Sequence, residues 1–425
     1  MNAEASPVGR RGSPRVAYLA PEIPALSATF VYEELLGLVE RGVDVEPFSV
    51  RKPGQPAVSQ AILAQRTQVL YDGPVAVLVA RGLVAAPTFG RGSVKALRWL
   101  AHDMAVTGLH RLMAWKLAYQ WLIGALLARR LKRAGCTHLH VHFAHTPAQI
   151  AMYASAFSGI PFTIMAHAND IFERGLLLRE KAQRAVRLLT ISNFNIAYLQ
   201  SKCVPGDKLA LVRCGVSLAP RQGTPSCPSR PRYRIGTLCR LVEKKGVDDL
   251  IRALALLHST GCAVDLVVAG EGPLKDQLMT LARASGVADA VHFVGALRHD
   301  AVGEWLRTLD AFAVACKADA NGDMDGIPVV LMEAMSQGVP VVSTRISGIP
   351  ELVIHDQTGL LAEPAAPKAL ADELRRLFED ADLRTRLARA AALYVENEFG
   401  KEVNLDRLMV HLGLTRGQRA LRAIP

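Results

Sequence analysis

The 425-residue sequence has no pair of cysteines at C-x-x-C spacing, and its seven cysteines are scattered and odd in number. This pattern argues against zinc and thiol redox chemistry and is typical of reduced thiols in a cytosolic protein. There is also no uncharged apolar run of about 18 residues, so no membrane-spanning helix is predicted. The nearest approach, Ala114–Ala128, is interrupted by Lys116 and Gln120.

The N-terminus superficially resembles a signal peptide, because three arginines precede an apolar stretch. Pro21 and Pro24 interrupt that stretch early, and the segment RVAYLA fits a first β-strand better. We therefore expect a cytoplasmic protein.

Charged residues make up only 21% of the chain and hydrophobic residues 50%, which excludes a disordered or fibrous protein. The length favours two α/β domains. The net charge of +11 indicates an anionic partner, which leaves nucleic acid, a phospholipid surface or a phosphate-bearing substrate open. No nucleic-acid-binding module is recognisable, so we predict no nucleic acid partner.

Short apolar runs alternate with segments of helical period along the chain, which is the pattern of parallel sheets covered by helices. The strand candidates are RVAYLA, HLHVHF, PFTIMA, RLLTIS, RYRIGTLC, AVDLVVAG, AVHFVG, DAFAVA and VPVVST. The fold class predicted is α/β, with two Rossmann-like doubly wound domains facing across a cleft. Predicted limits are 1–218 for the first domain, 219–233 for a linker rich in Pro, Ser and Arg, 234–395 for the second domain, and 396–425 for a helical segment.

The segment DGIPVVLME, Asp325 to Glu333, follows the strand DAFAVA through a polar loop. Pro328 suits the first turn of a helix, and Gly338 would end that helix. The free N–H groups of such a helix start form an anion site at the edge of a parallel sheet. The residues predicted to bind substrate there are Gly326, Ile327, Pro328 and Val329.

Glu333 lies among apolar residues of the same helix, where a carboxylate needs hydrogen-bond donors. Both hydroxyls of a ribose would satisfy it, whereas the alternative is a glutamate that simply faces solvent. Arg240 and Lys245 follow the strand RYRIGTLC and could clamp a diphosphate, although these two residues taken alone fit solvated surface charge better. The turns AGEGP and ISGIPEL contain glycine and end strands at the same predicted edge.

The spacing of these segments from Arg240 to Glu351 resembles the retaining glycosyltransferases of family 4, of the exopolysaccharide type, which have the GT-B fold. The resemblance covers most of the C-terminal half. It implies that Glu333, the second glutamate of an E-x7-E motif, holds the nucleotide ribose. The first position of the motif, which contacts the transferred sugar, is a glutamate in the family and is an aspartate, Asp325, in this sequence. Arg240 and Lys245 match the diphosphate-binding pair.

The resemblance also implies roles in the N-terminal half. His167, after the strand PFTIMA, would lie against the donor sugar, with Asp170 supporting its loop, whereas the residues alone fit a hydrogen-bonded turn. The loop from Glu22 to Phe30 resembles an acceptor-side loop, from which Ser27 and Thr29 are predicted to bind substrate. His167, Arg240, Lys245 and Asp325 would be the catalytic set. Neither a metal nor any cofactor is expected, although Asp323-Met324-Asp325 spells a D-x-D sequence.

Two further features bear on partners. A cluster of four histidines, His138, His140, His142 and His145, suggests a zinc site. The first three share a strand face, and no carboxylate or cysteine is expected beside them. Ordinary packing and polar contacts are therefore favoured over a metal. Residues 91–133 are basic and rich in tryptophan, which fits either an anionic membrane surface or a packed helical pair with a solvated basic face.

The activity predicted is sugar transfer from a nucleoside-diphosphate sugar to a glycan or lipid-linked acceptor in polysaccharide biosynthesis, with peripheral contact at the inner face of the membrane. The alternatives are a nucleotide-sugar epimerase of similar fold and a non-catalytic nucleotide-sugar binder.

Overall fold

A computed structural model describes residues 14–24, 29–54, 61–217 and 232–414. Within these residues parallel strands alternate with helices and form two sheets, which confirms the predicted α/β class. Each strand expected from the sequence pattern is present, within a residue or two of its predicted ends.

The first sheet has the strand order β3-β2-β1-β4-β5-β6-β7. Its strands are β1 (Arg15–Ala20), β2 (Asp44–Ser49), β3 (Gln68–Val69), β4 (His138–His142), β5 (Phe162–Ala166), β6 (Leu188–Thr190) and β7 (Leu209–Leu211). The pairs run parallel, and β1 pairs with β4 in the register Tyr18 to His140. Because the order reverses between β1 and β4, their carboxyl ends form the switch point of a doubly wound sheet.

The second sheet has the order β10-β9-β8-β11-β12-β13, with the same reversal between β8 and β11. Its strands are β8 (Tyr233–Leu238), β9 (Val264–Ala269), β10 (Val291–Gly295), β11 (Ala311–Ala313), β12 (Val341–Thr344) and β13 (Leu360–Ala362). Strands β11, β12 and β13 are wholly buried, as expected for parallel strands covered on both faces. Side chains of Val, Leu and Ile dominate this core.

Helices connect the strands. They are α1 (Thr29–Glu40), α2 (Ala61–Arg66), α3 (Val75–Ala85), α4 (Arg91–Thr107), α5 (Leu112–Arg133), α6 (Thr146–Ser158), α7 (Asn169–Phe172), α8 (Leu178–Arg184), α9 (Asn193–Ser201), α10 (Val247–Ser259), α11 (Lys275–Ala284), α12 (His299–Leu306), α13 (Val329–Ser336), α14 (Pro367–Glu379), α15 (Ala381–Phe399) and α16 (Lys401–His411). The predicted helical character of residues 91–133 is confirmed by α4 and α5. Over the described ranges, every helix falls short of the length or apolarity that crossing a bilayer requires.

The chain divides into two compact units. Unit 1 comprises Met1–Met165, Arg184–Arg187 and Met409–Pro425, and unit 2 comprises Ala166–Gln183 and Leu188–Leu408. The predicted domain limits stay a prediction, because most of the predicted linker, residues 219–231, lies outside the described residues. Unit 2 contains the second sheet together with the loop that follows β5.

Gly246 begins α10 in a left-handed conformation, with φ at +63°. A Cβ at this position would lie 1.8 Å from the carbonyl oxygen of Ala315, so the backbone after β8 approaches the backbone after β11 too closely for any side chain. This contact fixes the distance between the two loops at the switch point of the second sheet.

Replacing Gly246 with alanine should therefore lower the free energy of unfolding by about 3 kcal/mol or more, because a clash adds to the backbone strain. Gly261 is a matched control, since it has φ at +81° and no atom within 4 Å of an added Cβ. Its alanine variant should lose only about 1 kcal/mol. Urea denaturation measures both, and equal losses would contradict the close approach.

Candidate active site

Two loops of unit 2 leave the second sheet where its strand order reverses. Strands β8 and β11 are neighbours, so the loops that follow their carboxyl ends emerge side by side. Arg240 and Lys245 belong to the loop after β8, and Asp325 belongs to the loop after β11. The sheet order therefore brings together residues that are far apart in sequence.

Lys245 and Asp325 form a partly buried ion pair, with Nζ 2.6 Å from Oδ2. Burial opposes the charge on each group, but the pairing outweighs it, so the pKa of Lys245 is raised and the pKa of Asp325 is lowered. Lys244 lies 3.6 Å from the same carboxylate and 2.7 Å from Asp323. The Cys316 thiol completes the set by donating to Asp325 over 3.4 Å. Both groups are therefore charged and held in place.

Arg240, unlike Lys245, has no such partner. Its side chain is exposed and makes no hydrogen bond or ion pair with any residue that the structure describes. An unpaired guanidinium can offer its planar fork of N–H donors to an incoming phosphate. Of the predicted diphosphate pair, Arg240 is the member whose hydrogen-bonding capacity is unused.

The AGEGP turn packs directly on the loop that contains Arg240. An added Cβ at Gly270 would lie 1.9 Å from the carbonyl oxygen of Cys239, and one at Gly272 would lie 2.4 Å from that of Leu241. Only glycine permits this approach. The turn packs against one side of the Arg240 loop, so its glycines help to fix the position of that loop.

Helix α13 begins after Pro328 and contains Glu333, as predicted. The Glu333 side chain is half-buried, yet its carboxylate makes no hydrogen bond or ion pair within the described part of the chain. Burial raises the pKa of this carboxyl group, and His299 lowers it by a smaller amount. A half-buried carboxylate without donors is the state expected of a group whose partner is a ligand.

His167 and Asp170 form a closed turn after β5. The His167 N–H donates to both carboxylate oxygens of Asp170, at 3.0 and 3.2 Å. The Asn195 side chain donates to the His167 carbonyl, and the Cys214 sulfur lies 3.9 Å from Nδ1 of the ring. Asp170 is fully buried. Its contact with the His167 N–H closes the turn after β5, and its role at a substrate site stays a prediction.

The His167 turn and the Asp325 loop meet at Gly326. A Cβ on Gly326 would lie 2.6 Å from Cδ1 of Ile191 and 3.6 Å from Cβ of Ala168. Gly348, in the ISGIPEL turn, lies against Ile327 in the same way. Predicted site residues from both halves of the sequence are thus adjacent within unit 2.

Glu351 connects the ISGIPEL turn to residues that the sequence analysis did not single out. Its carboxylate accepts from the Phe194 N–H at 2.9 Å and from the Asn193 side chain at 3.1 Å. Arg213, almost fully buried, pairs with it at 3.0 Å. Asn193 and Phe194 are the first residues of α9, and Ser192, the N-cap of that helix, is a signal in the sequence that could have indicated the helix start. No local signal in the sequence identifies Arg213.

The structure gives no side-chain contacts for Ser27 and Thr29, the two residues predicted to bind substrate on the acceptor side. Ser27 lies outside the described residues, and Thr29 is described only as the first residue of α1. Their assignment to substrate binding stays a prediction.

The expectation that no carboxylate lies beside the histidines of β4 is wrong. Glu34, on α1, approaches Nε2 of His142 at 2.9 Å and Nε2 of His140 at 3.5 Å. It also accepts from the Tyr18 hydroxyl at 2.8 Å. The error arises because the fold, rather than the local sequence, places α1 over β1 and β4. These side chains form a buried hydrogen-bonded group in unit 1.

Two doubly wound sheets, with an arginine, glycine turns and a helix-borne glutamate gathered at one switch point, define a ligand-binding α/β protein, because such sheets bind their ligands at this place. The sequence model of the family described as Glycosyl transferases group 1 matches residues 230–393. The colanic acid biosynthesis glycosyltransferase WcaL of Escherichia coli is 30% identical, over 92% of this chain and 97% of its own. The amylovoran biosynthesis glycosyltransferase AmsK of Erwinia amylovora is 30% identical, over 93% and 98%.

The chain therefore belongs to the group 1 glycosyl transferase family, and it is a nucleotide-sugar-dependent glycosyltransferase. Anabaena HepE, solved in complex with UDP, has the same GT-B fold, with a TM-score of 0.70 at 17% identity over 94% of this chain and 99% of that one. These comparisons do not support the alternatives of an epimerase or a non-catalytic binder.

Breaking the Lys245–Asp325 pair from one side should cost stability. Lys245→Met leaves the partly buried Asp325 carboxylate with Lys244, 3.6 Å away, as its remaining cation, so the free energy of unfolding should fall by about 2 kcal/mol. Adding Asp325→Asn should recover part of that loss, with a coupling energy of at least about 1 kcal/mol in a urea double-mutant cycle. The exposed pair Lys368–Asp372 is the control and should show little coupling. Additive losses at Lys245 and Asp325 would contradict a specific pair.

Proposed function

We propose that this enzyme transfers a sugar from a nucleoside-diphosphate sugar to a lipid-linked glycan with retention at the anomeric carbon, as a member of family 4. The main observation behind the donor site is that Arg240 and Glu333 have no side-chain partner among the described residues, while the residues around them do. Arg240 and Lys245 would neutralise the departing diphosphate, and Glu333 would accept from the ribose hydroxyls. The start of α13, from Gly326 to Val329, would donate backbone N–H groups to phosphate.

Retention requires no protein nucleophile in this proposal. The departing phosphate oxygen accepts the proton of the acceptor hydroxyl on the same face of the sugar, and the protein stabilises charge and positions the reactants. The ion pair of Asp325 with Lys245 favours this route, because a carboxylate held by an ammonium group is a weak nucleophile. Asp325 and His167 would position the sugar.

Metal independence is part of the same proposal. In the D-x-D sequence, Lys244 lies 2.7 Å from Asp323 and 3.6 Å from Asp325, so an ammonium group already stands between the two carboxylates. A divalent cation would have to displace it. The positive charge that a metal supplies to a diphosphate would come here from Arg240 and Lys245.

A membrane-surface acceptor is favoured by the outer surface of α3, α4 and α5, which we call the basic apolar surface. Its exposed apolar side chains include Leu97 at 56%, Leu112 at 73% and Trp115 at 62% exposure. The only acid between residues 74 and 133, Asp103, is buried and forms a two-point ion pair with Arg184. Apolar and cationic side chains without exposed acids suit an anionic bilayer.

The names of the relatives fit such an acceptor. WcaL and AmsK are named for colanic acid and amylovoran biosynthesis, and another relative, from Mycobacterium tuberculosis, is named as a phosphatidylinositol monomannoside mannosyltransferase. The cysteines within the described residues are free thiols. We therefore place the reaction in polysaccharide biosynthesis at the cytoplasmic face of the membrane.

Replacing Arg240 with alanine should lower kcat by about 100-fold, because it removes charge stabilisation of the leaving diphosphate. The melting temperature should not change, since Arg240 is exposed and unpaired. Glu333→Gln should instead raise the KM for the donor, and Arg283→Ala, another exposed arginine of unit 2, should leave both constants unchanged. Near-normal turnover of the Arg240 variant would refute its role.

Vesicle flotation tests the membrane contact. The enzyme should float with phosphatidylglycerol vesicles, less so at high salt, and remain in the lower fractions with neutral vesicles. Leu97→Gln combined with Trp115→Gln should weaken flotation. The matched control replaces Leu256 and Val294, exposed apolar residues of unit 2, with glutamine. A wild-type enzyme that never floats would exclude a membrane-surface acceptor.

A further inference from the structure

A pocket in unit 1 lies between α3 and α5 and has a volume of about 490 Å³. We call it the arginine pocket, because its lining includes Arg81 from α3 with Arg129, Arg130 and Arg133 from α5, beside Leu78 and Leu126. The described residues that line it include no aspartate or glutamate. The volume falls within the range of small-molecule sites in proteins, which is about 300–1,000 Å³.

The charges in the arginine pocket are not compensated by its walls. Arg81, Arg129 and Arg133 are exposed, and none of them forms an ion pair or hydrogen bond with a described residue. Arg130 is half-buried and donates to the carbonyl of Val69 at 2.7 Å. Burial lowers the pKa of Arg130, nearby Asp72 raises it, and Arg81 lowers it again. A bound anion would relieve this repulsion between like charges.

Helix geometry alone accounts for part of this cluster. Arg130 and Arg133 lie in the last turn of α5, where cations interact favourably with the helix dipole. Arg81 has no such explanation, because it lies before the last turn of α3, on a different helix. Its guanidinium adds repulsion to the group without any benefit from a helix end. The convergence of two helices on one cationic pocket points to a ligand.

The lining indicates the chemistry of that ligand. Guanidinium groups match phosphate oxygens with paired N–H donors, and four of them suit a group with more than one charge. The apolar part of the lining includes Leu78, Leu126 and Val84, of which Val84 is 66% exposed. Leu83, the preceding residue of α3, is 59% exposed. An anion attached to a hydrocarbon chain would satisfy both kinds of surface, whereas a free sugar would satisfy neither.

The basic apolar surface has a second pocket, of about 400 Å³, lined by Arg91, Lys95, Arg98, Trp99 and Val94. There Lys95 lies over the Trp99 ring at 4.8 Å, so one of its cations already has an aromatic partner. The arginine pocket has no comparable internal contact for Arg81, Arg129 or Arg133, which makes it the stronger candidate.

We propose that the arginine pocket binds the diphosphate headgroup of the lipid that bears the glycan acceptor. This inference rests on the proposed transfer to a lipid-linked glycan. The pocket would hold the headgroup at the membrane surface while the hydrocarbon chain remains in the bilayer beside α3. It would thereby select diphosphate-linked acceptors over ordinary phospholipids, which have one phosphate and less charge.

The test uses full-length enzyme with the double variant Arg81→Gln, Arg133→Gln. Arg130 is kept, because its contact with Val69 contributes to the fold. The matched control, Arg283→Gln with Arg389→Gln, removes the same charge from exposed positions of unit 2. Binding is measured on neutral vesicles doped either with a polyprenyl diphosphate or with phosphatidylglycerol at equal total charge.

The wild type should prefer diphosphate-doped vesicles, and the double variant should bind them about tenfold more weakly while the control changes little. An equal loss on both vesicle types would overturn the proposal and indicate a general attraction to anionic lipid. Unchanged binding of the double variant would also overturn it. Inorganic diphosphate should displace the wild type only weakly, and displacement as effective as that by the lipid would refute the need for a hydrocarbon chain.

A separate measurement distinguishes failure of this inference from failure of the proposed function. Sugar transfer to a water-soluble glycan acceptor without lipid or diphosphate should proceed equally in the wild type and the double variant. If the wild type transfers sugar but shows no vesicle preference, the pocket assignment alone is wrong. If it transfers no sugar to any glycan, the acceptor proposal fails.

Discussion

The partly buried ion pair between Lys245 and Asp325 is the interaction on which the proposed donor site depends. It joins the loop after β8 to the loop after β11 across the switch point, where Gly246 already forces the two backbones together. Because each charge is desolvated, each needs the other. The pair therefore fixes the loops around Arg240 and Glu333, two side chains that have no hydrogen-bond partner in the described part of the chain and so retain their capacity to bind a ligand.

The pair also accounts for the fixed position of Asp325, which the resemblance drawn from the sequence places at the first position of an E-x7-E motif. A carboxylate in this place is held by Lys245, Lys244 and the Cys316 thiol, so its position is set by the protein. The shorter side chain reaches the lysine at hydrogen-bonding distance. Contact with a donor sugar would then come from a charged group that is already fixed, which is how preorganised sites avoid reorganisation during the reaction.

The sequence was sufficient to predict the strands that have a run of apolar residues. It was also sufficient to predict that Glu333 lies in an apolar helix, because that is a local property of the sequence. It did not predict β2, where Pro47 argues against a strand, or β3, β7 and β13, which are two or three residues long and end their sheets. Nor could it predict the approach of Glu34 to His142, or of Arg213 to Glu351, because such contacts depend on packing between distant segments. The two predicted diphosphate-binding cations also differ in a way that the sequence did not indicate: Lys245 pairs with Asp325, whereas Arg240 has no side-chain partner among the residues that the structure describes.

The ion-pair partners of the lysines and arginines show where the net positive charge of the chain is located. In unit 2 many lysines and arginines face acids, as Lys317 does with Asp248 and Asp249. Between residues 74 and 133 the chain has ten lysines and arginines and one acidic residue, Asp103. Asp103 forms an ion pair with Arg184, which lies outside this segment. The excess of positive charge is therefore concentrated on α3, α4 and α5 and is greatest where Arg81 meets the end of α5. A uniform basic surface would attract any polyanion, whereas charge confined to an apolar surface with a pocket discriminates by the shape and the hydrocarbon of its ligand.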